Sequence, residues 1–201
     1  EVEALHGGEE AARVEAHWRL GLEPRGPRED PGLRVSRRGS DEVREAIEKA
    51  WAAQQSFYSA LARRGKEIIQ NLKPGERAMV IISRPYNGCD RVVSLDLAAK
   101  LRRLHVLAIP MDFLELAGDQ RTGDRIFECM YWKYGQRIMH AAKMIRNHPK
   151  LHALYLSNFS CGPDSFLLSF FKRIMAPKPS LVLEIDEHSA DAGVVTRLEA
   201  F

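Results

Sequence analysis

Apolar side chains recur at helical spacing from residue 43 to residue 72, which predicts one long amphipathic helix. Ser40 is a good N-cap residue, and the negative charges that follow it at 41 and 42 suit the positive end of a helix dipole. Pro74 and Gly75 end the pattern, and Gly65 is a candidate break inside it. The members of the stripe are Val43, Ile47, Trp51, Gln54, Tyr58, Leu61, Ile68, Ile69 and Leu72.

After Gly75, short apolar runs alternate with helical patterns. The runs that predict strands are 78–83, 105–109, 152–156 and 181–185, and the patterns that predict helices are about 92–103, 134–147 and 162–175. Such runs are typical of parallel strands covered on both faces, and their alternation with helices indicates right-handed crossovers. We therefore predict an α/β fold, a three-layer doubly wound domain of the flavodoxin or Rossmann type, with a parallel sheet of about four strands after the long helix.

Residues 1–39 have a different composition, with prolines, glycines and alternating charges that break regular structure. Apart from a short helix over residues 9–20, we expect an irregular arm or linker there and the α/β domain at residues 40–201. The chain begins without Met and shows no stop signal before Phe201. We accordingly expect it to be part of a larger protein.

Composition narrows the class of protein. The 201 residues, 45% of them hydrophobic, suffice for one principal domain. The net charge of +3 is spread along the chain, so nucleic acid is not an expected partner. No apolar run approaches the roughly 20 residues that span a bilayer, and no leader segment opens the chain, so a soluble, cytoplasmic protein without membrane contact is expected. The three cysteines, Cys89, Cys129 and Cys161, lack the paired spacings of a disulfide scaffold and are expected to be thiols.

Candidate functional residues follow the predicted strands, because ligands of parallel sheets gather beyond the carboxyl ends of the strands. The four loops there are rich in polar residues: 84–90 (RPYNGCD), 110–114 (PMDFL), 157–166 (SNFSCGPDSF) and 186–193 (DEHSADAG).

Cys161 is the most informative of these residues. It precedes Gly162 and Pro163 at the start of a predicted helix, where free backbone N–H groups and the dipole favour an anionic sulfur. The sulfur could be a metal ligand, a nucleophile or only a small buried group. Gly162 would let the backbone approach a cluster or a phosphate closely.

The first loop offers Arg84, Tyr86 and Asn87 directly after a strand. A guanidinium matches phosphate or carboxylate, and a tyrosine supplies a stacking face with a hydroxyl group. These residues are candidates for lining a cleft. Alternatively, Arg84 forms a structural ion pair with Asp112 or Asp186.

The last loop combines Asp186, His188 and Asp191 with Glu184 and Glu187. These donors resemble a hard-metal site, but their spacing matches no standard zinc or calcium motif. Asp186 and Asp191 are candidates for the cleft or for capping turns, and His188 is a candidate proton donor or base. The aromatic run 131–137 (YWKYGQR) is expected mainly to pack in the core or at a domain contact.

Four strings together resemble the family of 2-hydroxyacyl-CoA dehydratases and CoA-substrate-specific enzyme activases. They are RPYN at 84–87, YWKYGQRI at 131–138, NFSCGPDSF at 158–166 and LEIDEHSADAGVVTRLEAF at 183–201. The resemblance covers about residues 41–201. It implies a dehydratase-type domain, alone or joined to an ATPase activator domain, and a cluster built from cysteines of two similar α/β domains. It implies a ligand role for Cys161 and none for Cys89 or Cys129.

An iron-sulfur cluster usually needs four protein ligands, so one cysteine cannot hold it. We therefore expect the other ligands upstream or in another chain, and no cluster or activity in the isolated chain. The function expected from the resemblance is an anaerobic, ATP-activated, low-potential reductase or dehydratase system acting on a 2-hydroxyacyl-CoA or similar substrate. Its expected partners are an ATPase activator domain or subunit, a second dehydratase-type domain or subunit and an acyl-CoA.

Two other classes stay open. One is a non-enzymatic module that binds the phosphate of CoA or a nucleotide at the helix N-terminus beside Gly162. The other is a cysteine hydrolase using Cys161 and His188, for which the sequence marks no orienting partner and no oxyanion site.

Overall fold

The structure, a computed structural model, describes residues 40–116 and 130–201. By its internal contacts the chain divides between Ser59 and Ala60 into two compact units, and each is described by itself. The expected arm at residues 1–39, its short helix and Cys129 lie outside the described residues. The predicted domain boundary at residue 40 stays a prediction.

The predicted long helix is present as α1, Ser40–Gln70, with acidic side chains in its first turn. In the first unit its apolar side chains, among them Val43, Ile47 and Trp51, are exposed. In the second unit Ile68 and Ile69 pack against a hydrophobic core. The helix continues through Gly65, so the break considered there is wrong.

The sheet of the second unit has four parallel strands: β1 (Ala78–Ile82), β2 (Leu107–Pro110), β3 (Leu151–Asn158) and β4 (Ser180–Ile185). Their order is β2-β1-β3-β4. Ala78 is opposite both Leu107 and Leu151, so β1 lies between β2 and β3 with its first residue beside the first residues of both. The predicted parallel sheet is confirmed.

Helices cover both faces of this sheet. They are α2 (Pro85–Gly88), α3 (Leu97–Arg103), α4 (Lys133–Asn147), α5 (Gly162–Met175) and α6 (Asp191–Ala200). Alternate residues of β1 belong to two separate cores, because successive side chains of a strand point to opposite faces. Val80 packs with α4 and α5, whereas Ile81 packs with α3 and α6. The three-layer, doubly wound α/β architecture is thereby confirmed. No helix in the described part of the chain is long and apolar enough to cross a membrane.

Two predicted boundaries need correction. The helix predicted from about residue 92 begins only at Leu97, because Leu95 and Asp96 have left-handed backbones, with φ of 52° and 49°, that interrupt helical geometry. His105, with φ of 58°, likewise delays the second strand to Leu107. Two helices were not predicted: α2 begins with a proline, and α6 has only a weak apolar stripe, through Val194 and Leu198.

Candidate functional site

The neighbouring carboxyl ends of β1 and β3 bring Arg84 and Cys161 together. Arg84 lies just beyond β1, and Cys161 lies three residues beyond β3 as the N-cap of α5. Nη2 of Arg84 donates a hydrogen bond to Sγ of Cys161 over 3.0 Å. The sulfur is partly exposed. A cationic donor and a helix N-terminus, both of which stabilise negative charge, therefore meet at one thiol.

A buried carboxylate holds the guanidinium in this position. Oδ1 of Asp164 accepts hydrogen bonds from Nη2 of Arg84 at 2.7 Å and from the hydroxyl of Tyr155 at 3.2 Å. Its Oδ2 accepts a hydrogen bond from Oγ of Ser157 at 2.7 Å. The side chains of Asp164 and Arg84 are only 4% and 16% exposed. Three donors on one carboxylate fix the ion pair in place, whereas Nε of Arg84 is buried without a hydrogen-bond partner among the described residues.

Asp164 was not among the candidate residues. The alternative that Arg84 forms an ion pair with Asp112 or Asp186 is wrong: Asp112 pairs with Arg137 at 3.0 Å, whereas Asp186 binds within its own loop. One signal was available. Tyr155 and Ser157 are two apart on a strand, so their hydroxyl groups reach the same face of the sheet and can donate to one buried acceptor.

Two aromatic rings complete the surroundings of Arg84. Its guanidinium carbon lies 5.4 Å from the ring centre of Trp132 and 5.8 Å from that of Tyr86, whose hydroxyl also accepts a hydrogen bond from Nη1. Burial alone would lower the pKa of Arg84. The hydrogen bonds with Cys161 and Tyr86 and the charge of Asp164 outweigh burial and raise this pKa, so the side chain stays charged.

Tyr155 serves as a fixed donor to Asp164. Its side chain is fully buried, with its ring in edge contact with Phe171. Burial, together with the charge of Asp164, raises the pKa of Tyr155 far above its ordinary value. The phenol therefore keeps its proton and its hydrogen bond to the carboxylate over the physiological range of pH.

A second polar group lies where β1 and β2 end. Asp112 pairs with Arg137, and the hydroxyl of Tyr134 donates to the carbonyl oxygen of Ser83 over 3.1 Å. Burial raises the pKa of Asp112, and the charge of Arg137 offsets part of that rise. Burial of the sulfur and the charge of Asp112 raise the pKa of Cys89. Both effects disfavour the thiolate of Cys89, although the residue as a whole is exposed.

The last loop is organised by its own hydrogen bonds. Oδ1 of Asp186 accepts bonds from Oγ of Ser189 and the backbone N–H of His188, and the bond from Ser189 is the main reason that the pKa of Asp186 is lowered. The imidazole of His188 is 82% exposed. Asp191 pairs with Lys100 of α3 at 3.1 Å. The contacts found for these residues in the described part of the chain include neither Arg84 nor Cys161.

Asn87 and Gly162, which are close in sequence to Arg84 and Cys161, differ in burial. Asn87 is 1% exposed, and neither atom of its side-chain amide has a hydrogen-bond partner among the described residues. An added Cβ at Gly162 would meet no atom of the described residues within 4 Å. No packing among the described residues therefore requires glycine at 162, and those residues leave open space beside the N-terminus of α5.

Part of the chain matches a known protein family. Residues 31–114 match the model described as CoA enzyme activase uncharacterised domain (DUF2229). This association with CoA enzyme activases was expected from the resemblance and is confirmed for the matched range. The range contains Arg84, Tyr86 and Asn87 but ends before Cys161. No curated protein and no solved structure matches the chain.

The donor set at Cys161 suits one ligand of an iron-sulfur cluster. Thiolate sulfur is the usual protein ligand of such clusters, and Sγ of Cys161 already accepts a hydrogen bond from a cationic donor. Within residues 40–116 and 130–201, no group of three or more His, Cys, Asp or Glu side chains could hold a metal ion. The described residues therefore contain no complete metal site of this kind.

Proposed function

We propose that this chain is a domain of an iron-sulfur, ATP-activated, low-potential reductase or dehydratase system that acts on a 2-hydroxyacyl-CoA or a similar substrate, with Cys161 as one ligand of the cluster. The match of residues 31–114 to a CoA enzyme activase domain supports the class of protein. The observation that carries the ligand role is the hydrogen bond from Arg84 to Sγ of Cys161 at the N-terminus of α5.

Each residue of the site has a role in this proposal. Cys161 presents a partly exposed sulfur to the cluster. Arg84 donates a hydrogen bond to that sulfur, and Asp164 fixes the guanidinium through its own bonds to Tyr155 and Ser157. The open space beside Gly162 leaves room for a bulky group next to the sulfur.

Partners supply what these residues lack. The remaining ligands come from a second dehydratase-type domain or subunit, since clusters usually have four. An ATPase activator domain or subunit delivers the electron, and the cytoplasm is the compartment that fits such a system. When bound, the cluster would store one electron at low potential for a substrate that is hard to reduce.

Two alternative functions receive less support from the geometry. A phosphate at the N-terminus of α5 would meet an arginine whose charge is already paired, and Asp164 places a carboxylate in the first turn of that helix. A cysteine hydrolase would need a base near Cys161, whereas His188 is 3.6 Å from Glu187 and its contacts among the described residues do not include the sulfur. The ligand role is the one that uses the hydrogen-bonded sulfur directly.

Anaerobic reconstitution of the full-length protein with iron and sulfide tests the proposal. Cys161→Ala is expected to lower the bound iron and sulfide severalfold, because it removes a thiolate ligand. Iron and sulfide per chain and the visible absorbance of the cluster are the measurements. Cys89→Ala is the matched control and should bind as much iron as the parent. If Cys161→Ala binds as much cluster as the parent, the ligand role is wrong.

A further inference from the structure

We infer that α1 is a dimerisation surface, and that it pairs in antiparallel orientation with α1 of a second copy of this chain. The contact runs along one row of side chains, called the seam, which consists of Val43, Ile47, Ala50, Gln54, Phe57 and Leu61. None of these residues belongs to the site at Cys161, so the inference is independent of the proposed function.

The seam is largely apolar and yet exposed. Val43, Ile47 and Phe57, together with Trp51 beside them, are between 43% and 66% exposed. None of the four belongs to either hydrophobic core of the described residues, whereas Ile68, further along the same helix, packs against one of them. A row of large apolar side chains left in water is typical of a surface that binds a partner protein.

The spacing of the seam makes it complementary to itself when two copies run antiparallel. Its members alternate by four and three residues, which is the spacing of the core positions in a coiled coil. If Ile47 faces Phe57 of the second copy, the two ends of the seam also face each other. The same register sets Ala50 opposite Gln54, a small side chain opposite a longer one. A twofold axis repeats each of these contacts, so every member of the seam has a partner.

The residues beside the seam suit the same arrangement. On one side is Trp51, which this register places next to Trp51 of the second copy, close to the twofold axis. On the other side are alanines at 46, 53 and 60, whose small side chains let two helices approach closely. The contact can therefore cover the tryptophan, the most exposed large side chain of this part of α1.

Charge favours the antiparallel direction over the parallel one. Residues 41–48 carry four acidic side chains and one basic side chain, whereas residues 63–66 carry three basic side chains. The antiparallel register brings the acidic first turn of one helix near Arg63 and Arg64 of the other. A parallel pair would instead place the two acidic segments side by side, and like charges in contact disfavour association.

Sedimentation equilibrium of the 201-residue chain tests the inference. The parent is expected to form a dimer of about 46 kDa, twice the 22.8 kDa of one chain. Ile47→Glu and Trp51→Glu should each raise the dissociation constant at least about tenfold, because each places a charge against apolar side chains of the second copy. Both residues are exposed within one chain, so circular dichroism should show the parent's fold. Val92→Glu is the matched control, because Val92 is an exposed apolar residue outside α1, and it should leave the dissociation constant unchanged.

Oxidative cross-linking determines the direction of the pair. An equal mixture of Ile47→Cys and Phe57→Cys chains should form a disulfide-linked dimer, because the antiparallel register sets these two positions opposite each other. Either variant alone should stay at the level of the parent, whose own cysteines give the background. In a parallel pair, each variant would link to itself without the other.

The outcomes distinguish a second copy from other occupants of the seam. A parent that sediments as a monomer at every concentration overturns the inference. If maleimide also labels Ile47→Cys slowly in that monomer, another segment of the chain, such as residues 1–39, covers the seam. A dimer that Ile47→Glu and Trp51→Glu leave intact overturns the role of α1, and self-linking of a single cysteine variant overturns the antiparallel orientation.

Discussion

Replacement of Asp164 by alanine is expected to lower the free energy of unfolding of this chain by about 3–5 kcal/mol, as for other buried ion pairs that lose one partner. The mutation leaves the guanidinium of Arg84, which is 16% exposed, without its carboxylate. It also removes the acceptor of the hydroxyl groups of Tyr155 and Ser157, both of which are buried. On folding, such unpaired polar groups lose their hydrogen bonds to water and gain none in return, which lowers stability.

Urea unfolding monitored by circular dichroism measures this effect. Asp164→Asn should be the milder change, because the amide oxygen can still accept from Arg84. Glu67→Ala is a control that removes an exposed carboxylate paired with Arg64, and its effect should stay below about 1 kcal/mol. If the free energy of unfolding of Asp164→Ala lies within about 1 kcal/mol of the parent value, the carboxylate does not stabilise the site.

The two central strands, β1 and β3, could be predicted because they are buried on both faces. Continuous apolar runs such as 78–83 distinguish covered parallel strands from half-exposed ones, and the glycine and proline signals before them set their starts. The observed β1 and β4 agree with the predicted runs to within one residue, and β3 extends beyond its predicted run by at most two. The helix at Gly162–Met175 was predicted with the same bounds, since a cap residue, glycine and proline mark its first turn.

The elements that were not predicted depend on weaker local signals. Leu95 and Asp96 adopt left-handed backbones although neither is glycine. The apolar spacing around them continues as it would in a helix, so the sequence does not mark the interruption. Of the ten residues of α6 only Val194 and Leu198 are buried, so the apolar pattern that would mark the helix is short. Periodicity cannot find a helix whose buried side is this narrow.

The site was partly accessible from sequence. Convergence of the loops beyond β1 and β3 follows from the parallel sheet, and Arg84 and Cys161 were singled out on that basis. Which side chain pairs with Arg84 depends on the order of strands and on the depth of each carboxylate. An aspartate in the first turn of a helix usually interacts with the free backbone N–H groups there. The position of Asp164 in the sequence therefore gives no sign that its partner is Arg84.

Gly65→Ala is expected to lower the free energy of unfolding by about 3 kcal/mol, at the upper end of the usual cost of overpacking. Elsewhere in a helix, the same change stabilises by about 0.5–1 kcal/mol, because glycine loses more backbone entropy on folding. Here an added Cβ would overlap the carbonyl oxygen of Phe113 and lie 2.7 Å from the carbonyl carbon. Backbone atoms cannot rotate away as a side chain can, so α1 or the segment after β2 must shift.

Gly193→Ala in α6 is the matched control for that prediction, because an added Cβ there would meet no atom of the described residues within 4 Å. It should raise the free energy of unfolding by up to about 1 kcal/mol. Opposite signs for the two changes in urea unfolding would show that close contact with Phe113, and not glycine itself, explains residue 65. A stabilising Gly65→Ala would contradict this, since it would mean that α1 does not approach the backbone of Phe113 closely in solution.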